Sequence, residues 1–123
     1  MKSLKDIFDF SQSLPPAART ASTNGSALDL ANYGSCGVIV SSGTITDGTH
    51  TPKLQESADN VAWSDVAVSD LVGTFANIAS SAVQKVGYIG GKRYLRVVVT
   101  VAGATTGGLY GAIALLGGKR KQP

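Results

Sequence analysis

Residues 92–101, KRYLRVVVTV, form the strand-like stretch around which the rest of the sequence is arranged. In an extended chain successive side chains point to opposite sides, so alternate residues share a face. One side of this stretch is wholly apolar and holds Leu95, Val97, Val99 and Val101. The other side is mixed and holds Tyr94, Arg96, Val98 and Thr100. We therefore predict a central strand whose apolar side packs into a core.

The composition favours a small all-β protein. The chain has 123 residues, of which 43% are hydrophobic, 15% are charged and 15 are glycine. This length is enough for one sandwich or barrel core, and abundant glycine beside β-branched residues is typical of short strands joined by tight turns. We predict a single-domain β-sandwich of jelly-roll type with about eight short strands.

The remaining strands are predicted from apolar alternation between turn residues. A first hairpin is expected from residues 17–22 and 26–30 around the turn Thr23-Asn24-Gly25, because Asn-Gly supplies the positive φ values that a tight hairpin needs. In a later strand Leu54 is expected to point inward, and Trp63 with Asp65 is chosen as the buried side of the strand that follows. The other predicted strands are 37–42, 52–58, 61–68, 82–89 and 109–116.

The first 16 residues are predicted to form an arm outside the sandwich. Ser3 can cap a short helix from Leu4 to about Gln12, and Pro15-Pro16 is expected to end it. The predicted organisation is therefore an arm at 1–16, a sandwich at 17–118 and a basic tail at 119–123. A helix this short is marginal alone in water, so the arm needs a surface, either its own sandwich or, as we favour, a neighbouring subunit or the capsid protein. The candidate partner-binding residues are Leu4, Ile7, Phe8, Phe10 and Leu14.

The charge distribution argues against a nucleic-acid-binding domain. The net charge is +3, but residues 25–118 hold five basic and six acidic side chains. The three basic residues at 119–121 are interpreted as a solvated tail. No apolar run reaches 18 residues and no secretory leader is recognisable, so we expect neither a membrane span nor export.

No catalytic or metal site is predicted, and the protein is expected not to be an enzyme. His50 is the only histidine and Cys36 the only cysteine, so one chain cannot assemble a two-histidine metal site, and neither a Cys-His couple nor a zinc-ligand pair is predicted. We expect His50 to be a solvated loop or turn residue and Cys36 to be a small buried hydrophobe. The carboxylates are scattered over turns and strand ends, which gives no acid and base pair. No cofactor is predicted.

Two segments resemble a known group of proteins. Residues 47–57, DGTHTPKLQES, followed by Trp63, and residues 91–99, GKRYLRVVV, followed by a glycine-rich turn and residues 111–117, are similar to the small head decoration or cement proteins of tailed bacteriophages. The resemblance covers roughly residues 21–118. It implies a small β-sandwich or jelly roll without catalytic residues.

The resemblance also implies a function and a location. It predicts a structural virion protein that is assembled in the host cytoplasm, binds the major capsid protein on the assembled head and bridges neighbouring subunits. A homo-oligomer, dimer or trimer, on the capsid lattice is expected. The alternatives are a tail or neck component and a virion-surface carbohydrate-binding module, whose stacking platform would use Trp63 with Tyr33, Tyr88, Tyr94 and Tyr110.

Overall fold

A computed structural model describes residues 1–118, and the predicted basic tail at 119–123 lies outside the described residues. The described chain is built almost entirely of strands, with one 3₁₀ turn at Val68–Asp70. The strands are β1 (Asp9–Arg19), β2 (Thr23–Asn24), β3 (Leu28–Asp29), β4 (Ser35–Ile45), β5 (Thr49–Ser57), β6 (Ser64–Asp65), β7 (Leu71–Val72), β8 (Val83–Tyr88), β9 (Tyr94–Ala102) and β10 (Gly108–Gly117).

These strands form two antiparallel sheets that face each other. Sheet 1 has the order β1-β10-β4-β8-β7. Sheet 2 has the order β2-β9-β5-β6, and β3 also pairs with β9. The predicted single-domain β-sandwich is therefore confirmed, whereas the jelly-roll connectivity stays a prediction.

The core lies between the sheets, where the apolar sides of the strands meet. Leu95, Val97 and Val99 of β9 are each 0% exposed, which confirms the predicted burial of this side of the central strand. Leu54 of β5 also points inward, as predicted. Sheet 1 contributes the facing layer, which includes Leu14, Val38, Val40, Val86, Tyr88, Tyr110, Ala112, Ala114 and Leu116.

The predicted N-terminal helix is wrong, because these residues form an edge strand. β1 runs from Asp9 to Arg19 and pairs along its length with β10. Pro15-Pro16 does not end β1. This strand has a neighbour on one side only, and its register with β10 shifts near the prolines. The missing amide hydrogens therefore break no hydrogen bond between the strands. Residues 1–8, which we call the arm, contain only a turn in which the amide of Ile7 donates to Leu4 O over 3.2 Å. The sandwich thus begins at Asp9 rather than at residue 17.

The predicted hairpin over residues 17–30 is also wrong. β2 and β3 both pair with β9, one after the other, and do not pair with each other. Between them the chain bends at Gly25, whose amide donates to Val97 O over 2.7 Å. An added Cβ at Gly25 would lie 2.7 Å from that same carbonyl oxygen, so the close approach requires glycine.

The Trp63 segment is shorter than predicted and buries its other side. Only Ser64–Asp65 pairs with β5, and Asp65 is exposed. Val66 enters the core at 8% exposure, and its amide donates to Leu54 O over 3.1 Å. Trp63 is half-buried on the outer side of sheet 2, so size alone was a poor guide to the buried side.

Candidate protein-interaction surface

The outer side of sheet 1 is apolar, and the strand register defines its rows. The first row runs Phe10–Leu115–Gly37–Gly87–Val72, the second Gln12–Ile113–Ile39–Lys85 and the third Gly111–Ser41–Val83. Ala18 and Leu109 form a shorter fourth pair. These side chains alternate with the core residues of the same strands, so they point away from sheet 2. We call this surface the apolar face.

Much of the apolar face is open to solvent. Phe10 is 61% exposed, Leu109 47%, Val72 60% and Val83 71%. Ile39, Ile113 and Leu115 are half-buried by their neighbours on the sheet. Lys85 is the one charged side chain that points outward from the described strands of sheet 1. A contiguous apolar surface of this kind is typical of a protein–protein contact.

A shallow groove of about 440 Å³ runs along the apolar face beside β1. Its walls and floor include Pro16, Ile39, Gly43, Leu109, Gly111 and Ile113. A Cβ at Gly111 would lie 2.9 Å from Leu14 O and 3.0 Å from Pro16 N, so this glycine lets the bulged edge strand lie close to β10. The face therefore offers both a depression and projecting side chains.

The outer side of sheet 2 has a different chemistry, because it carries charged and polar side chains that bond to one another. Arg96 donates to Gln55 Oε1 through Nε at 3.0 Å and Nη2 at 2.7 Å, and its guanidinium lies 4.4 Å from the Trp63 ring centroid. Lys53 Nζ lies 3.0 Å from a carboxylate oxygen of Asp65, which also accepts a hydrogen bond from Gln55 Nε2 at 2.9 Å. This polar surface is suited to water, unlike the apolar face.

The predicted partner-binding residues do not form one set. Leu4 and Ile7 of the arm are exposed, at 61% and 56%. Phe8 is half-buried beside Gly117, and Phe10 belongs to the apolar face. Leu14 is only 2% exposed in the core, so its prediction as a partner-binding residue is wrong.

The prediction of a solvated His50 is wrong as well. The side chain is 0% exposed on the inner side of β5, with Nε2 3.0 Å from Asp47 O and Nδ1 2.9 Å from the Tyr110 hydroxyl oxygen. Because a carbonyl only accepts, Nε2 is the protonated nitrogen of the neutral imidazole, and in that form Nδ1 accepts from the Tyr110 hydroxyl. His50 thus links β5 to β10 across the sandwich. The polar sequence around it concealed the alternation that places His50, Pro52 and Leu54 on one side.

The most strongly bonded carboxylates close turns. The Asp47 carboxylate accepts hydrogen bonds from the amides of Gly107, Thr106 and Thr105, and these bonds hold its pKa below the usual 3.8. Asp59 accepts from the amides of Ala62 and Val61, which lowers its pKa in the same way. Both groups are therefore ionised acceptors that shape loops rather than proton donors.

Two further titratable groups are neutral at pH 7. Burial raises the pKa of the Cys36 thiol to about 11, so this partly buried cysteine is not a thiolate nucleophile. Burial, together with the Glu56 carboxylate 2.7 Å from its hydroxyl oxygen, raises the pKa of Tyr88 to about 12. Across residues 1–118, no three His, Cys, Asp or Glu side chains are grouped as a metal site.

The aromatic residues of the predicted sugar platform are divided between the core and the surface. Tyr88 and Tyr110 are buried at 5% and 2% exposure. Trp63 has Arg96 over its ring, and Tyr94 has the Arg93 guanidinium 5.0 Å from its centroid. The structure therefore does not bring all five rings to one surface.

Comparison with known proteins gives no assignment: no protein-family model matches the chain, and no curated protein matches it. Within residues 1–118, no helix is long and apolar enough to cross a membrane.

The apolar face was missed at the sequence level, although a signal for it exists. Residues 36–40 and 109–116 are nearly continuous apolar runs. In a strand with one solvated side, apolar and polar residues alternate instead. Such runs are typical of strands covered on both sides. In this structure one side of β4 and β10 is covered by sheet 2, and the other is the apolar face.

Proposed function

We propose that this protein is a structural virion protein, a capsid decoration or cement protein that binds the assembled phage head and bridges neighbouring capsid subunits. The observation that supports this most is the apolar face, since a small sandwich with so much uncovered apolar surface is suited to permanent assembly with other protein chains. The proposed partner is the major capsid protein, and the proposed location is the capsid of the virion.

The arm supplies a second binding element that is separate from the apolar face. Leu4 and Ile7 project from a short segment held to the sandwich where β1 begins. Burying each of these side chains on a capsid subunit contributes about 1.5–3 kcal/mol before the cost of ordering the arm is subtracted. The arm of each copy is therefore an attachment element for a capsid subunit.

The stabilising effect follows from linkage. A protein that binds the assembled lattice and not the free subunits favours the assembled state by mass action, and many weak copies add up over a shell. No turnover of a substrate is needed for this function. The hydrogen-bonded polar side chains on sheet 2 and the turn-closing carboxylates are consistent with a structural role.

The test is binding of the purified protein to capsids that lack it. We expect co-sedimentation with capsids and a higher capsid melting temperature, with occupancy that saturates at a fixed ratio to the capsid protein. Deleting residues 1–8 removes the arm but leaves β1 intact, so it should weaken binding while circular dichroism is unchanged. Val61→Ser is the matched control, because Val61 is 81% exposed but lies outside both the arm and the apolar face.

Three results would contradict the proposal. Absence of binding to capsids would contradict the proposed attachment to the assembled head. Copies confined to the portal or tail of the virion would instead support a neck or tail component. Retention on immobilised glycans that is lost in a folded Trp63→Ala variant, without capsid binding, would favour a carbohydrate-binding module.

A further inference from the structure

We infer that the apolar face is covered in solution by the same face of a second copy, so that the free protein is a face-to-face dimer of sandwiches. This goes beyond the proposed function, because it assigns one occupant to this surface before any capsid is met. A protein that is made free and later joins a shell would otherwise expose the whole apolar face to water.

The charge pattern allows the face to meet itself. A two-fold interface brings the same patch of both copies together, so a patch that carries charge at its centre would oppose like charges. The centre of the apolar face, on β10 and β4, holds Ile113, Ile39 and Leu115 and no ionisable side chain. Lys85 lies at the end of the second row, where no β7 residue pairs beyond it. A two-fold axis along that row places the Lys85 side chains of both copies at the same border, where their ammonium groups can extend into solvent and stay apart.

The shape of the face is also self-complementary. Consider a two-fold axis that crosses the strands along the second row, through Ile113 and Ile39. It exchanges the first row of one copy with the third row of the other. Phe10, which projects at 61% exposure, would then face the partner's groove at Gly111 and Pro16. The reciprocal contact is made at the same time, as a closed two-fold pair requires.

The area is sufficient for a stable dimer. Strands β1, β4 and β10 with about ten residues each, and β8 with six, at a spacing of about 4.8 Å and about 3.4 Å per residue, give a flat footprint of about 590 Å² per copy. Standard protein–protein interfaces bury about 800 Å² per partner, and specific ones exceed about 1,000 Å² in total. The flat areas of the two copies together exceed that total, and the projecting side chains add further buried surface.

This dimer leaves the other surfaces available. The arm begins at the edge strand β1, and the polar outer side of sheet 2 faces away from the partner. Two arms and two polar surfaces would therefore be presented by each dimer. A bridging protein gains two equivalent attachment points in this way.

The test is the oligomeric state of the full chain by sedimentation velocity and light scattering across the micromolar range. We expect a dimer for the wild type. Leu109→Asp and Phe10→Asp change exposed side chains on the apolar face, and each should raise the dimer dissociation constant at least tenfold with unchanged circular dichroism. Thr100→Asp is the matched control, since it places the same charge on an exposed residue of a central strand of sheet 2 and should leave the dimer intact.

A second measurement locates the axis. In a Cys36→Ser background, Ile113→Cys should be joined to Ile113→Cys of the second copy by a short bismaleimide cross-linker, because the axis passes close to this residue and facing sheets lie about 10 Å apart, too far for a direct disulfide. A monomeric wild type, a trimer, or a dimer that persists in both aspartate variants would overturn the inference. A monomer that still decorates capsids would refute the dimer and leave the proposed function standing.

Discussion

The Ser13 hydroxyl joins the two sheets, and its removal provides a sharp test of the fold. Ser13 is 1% exposed at the bulge of β1. Its Oγ accepts a hydrogen bond from the amide of Val97 at 3.1 Å and donates to Ser26 O at 2.9 Å. Val97 lies between the residues of β9 that pair with β2 and β3, so no strand partner satisfies its amide.

Ser13→Ala removes both bonds without changing the chain direction. The amide of Val97 is then left unpaired beside a side chain that is 0% exposed, and a buried unsatisfied donor costs about 1–3 kcal/mol. Ser26 is exposed, so its carbonyl can be hydrated and adds little. We expect a destabilisation of about 1–3 kcal/mol, which lowers the melting temperature by roughly 3–6 °C for each kcal/mol in a domain of this size.

The assay is urea unfolding followed by the fluorescence of Trp63 and by circular dichroism. Protein concentration must be equal for all variants, because self-association shifts apparent stability. Ser26→Ala is the matched control, since it shortens an exposed serine but keeps the carbonyl that Ser13 contacts, and it should change stability by less than about 0.5 kcal/mol. Equal stability of the two variants would refute the argument that the Ser13 hydroxyl satisfies the amide of Val97.

Three further predictions test the core, the buried histidine and the acid response. Val99→Asp buries an unpaired charge at a position that is 0% exposed and should abolish soluble folded protein; wild-type melting of this variant would contradict the central-strand assignment. Tyr110→Phe leaves His50 Nδ1 without its donor and should destabilise the fold by about 1–3 kcal/mol in urea titrations, whereas an unchanged midpoint would contradict the pairing. The pKa of Asp47 is lower in the folded state than its ordinary 3.8. The stabilisation that the ionised carboxylate contributes is therefore complete when the pH is above the pKa of the unfolded state, and it is lost as the pH falls through the pKa of the folded state. Stability measured against pH should therefore fall below about pH 4, and Asp47→Asn should flatten that fall; an equally steep fall in this variant would contradict the assignment.

The central strands could be predicted from the sequence because their burial pattern is local. In β9 every second side chain is apolar, and the structure places these residues between the sheets. Strands β4, β8 and β10 were also found near their predicted positions, since each is bounded by turn residues. The register between strands and their division into two sheets depend on contacts between distant residues, which no local pattern contains.

The N-terminal segment shows why a local pattern can mislead. Residues 4–14 have apolar spacing that suits a helix, and two prolines suggested its end. Pairing with β10 gives a strand instead, and an edge position removes the penalty for proline because one side of the strand needs no hydrogen bonds. Tertiary pairing therefore overrides local preference here.

The apolar face was harder to predict than the fold because a residue belongs to it only if no other part of the described chain packs on that side of sheet 1. Ile39 and Ile113 belong to apolar runs in the sequence, and only the arrangement of the two sheets shows that they point away from the core. His50 had the opposite outcome, since a polar neighbourhood in the sequence became a buried position beside Tyr110.

The pairing of β1 with β10 determines when sheet 1 can be completed during translation. Asp9 lies opposite Leu116, so the outermost strand of sheet 1 has no partner until nearly all of the described chain has been synthesised. Contacts that join such distant segments slow folding, because a long loop must close before they form. During translation, Phe10 and Leu14 of β1 therefore remain exposed until β10 has been synthesised and can pair with β1. Exposed apolar side chains and unpaired strands favour aggregation, so we expect incomplete chains that lack β10 to be more prone to aggregate than the full chain.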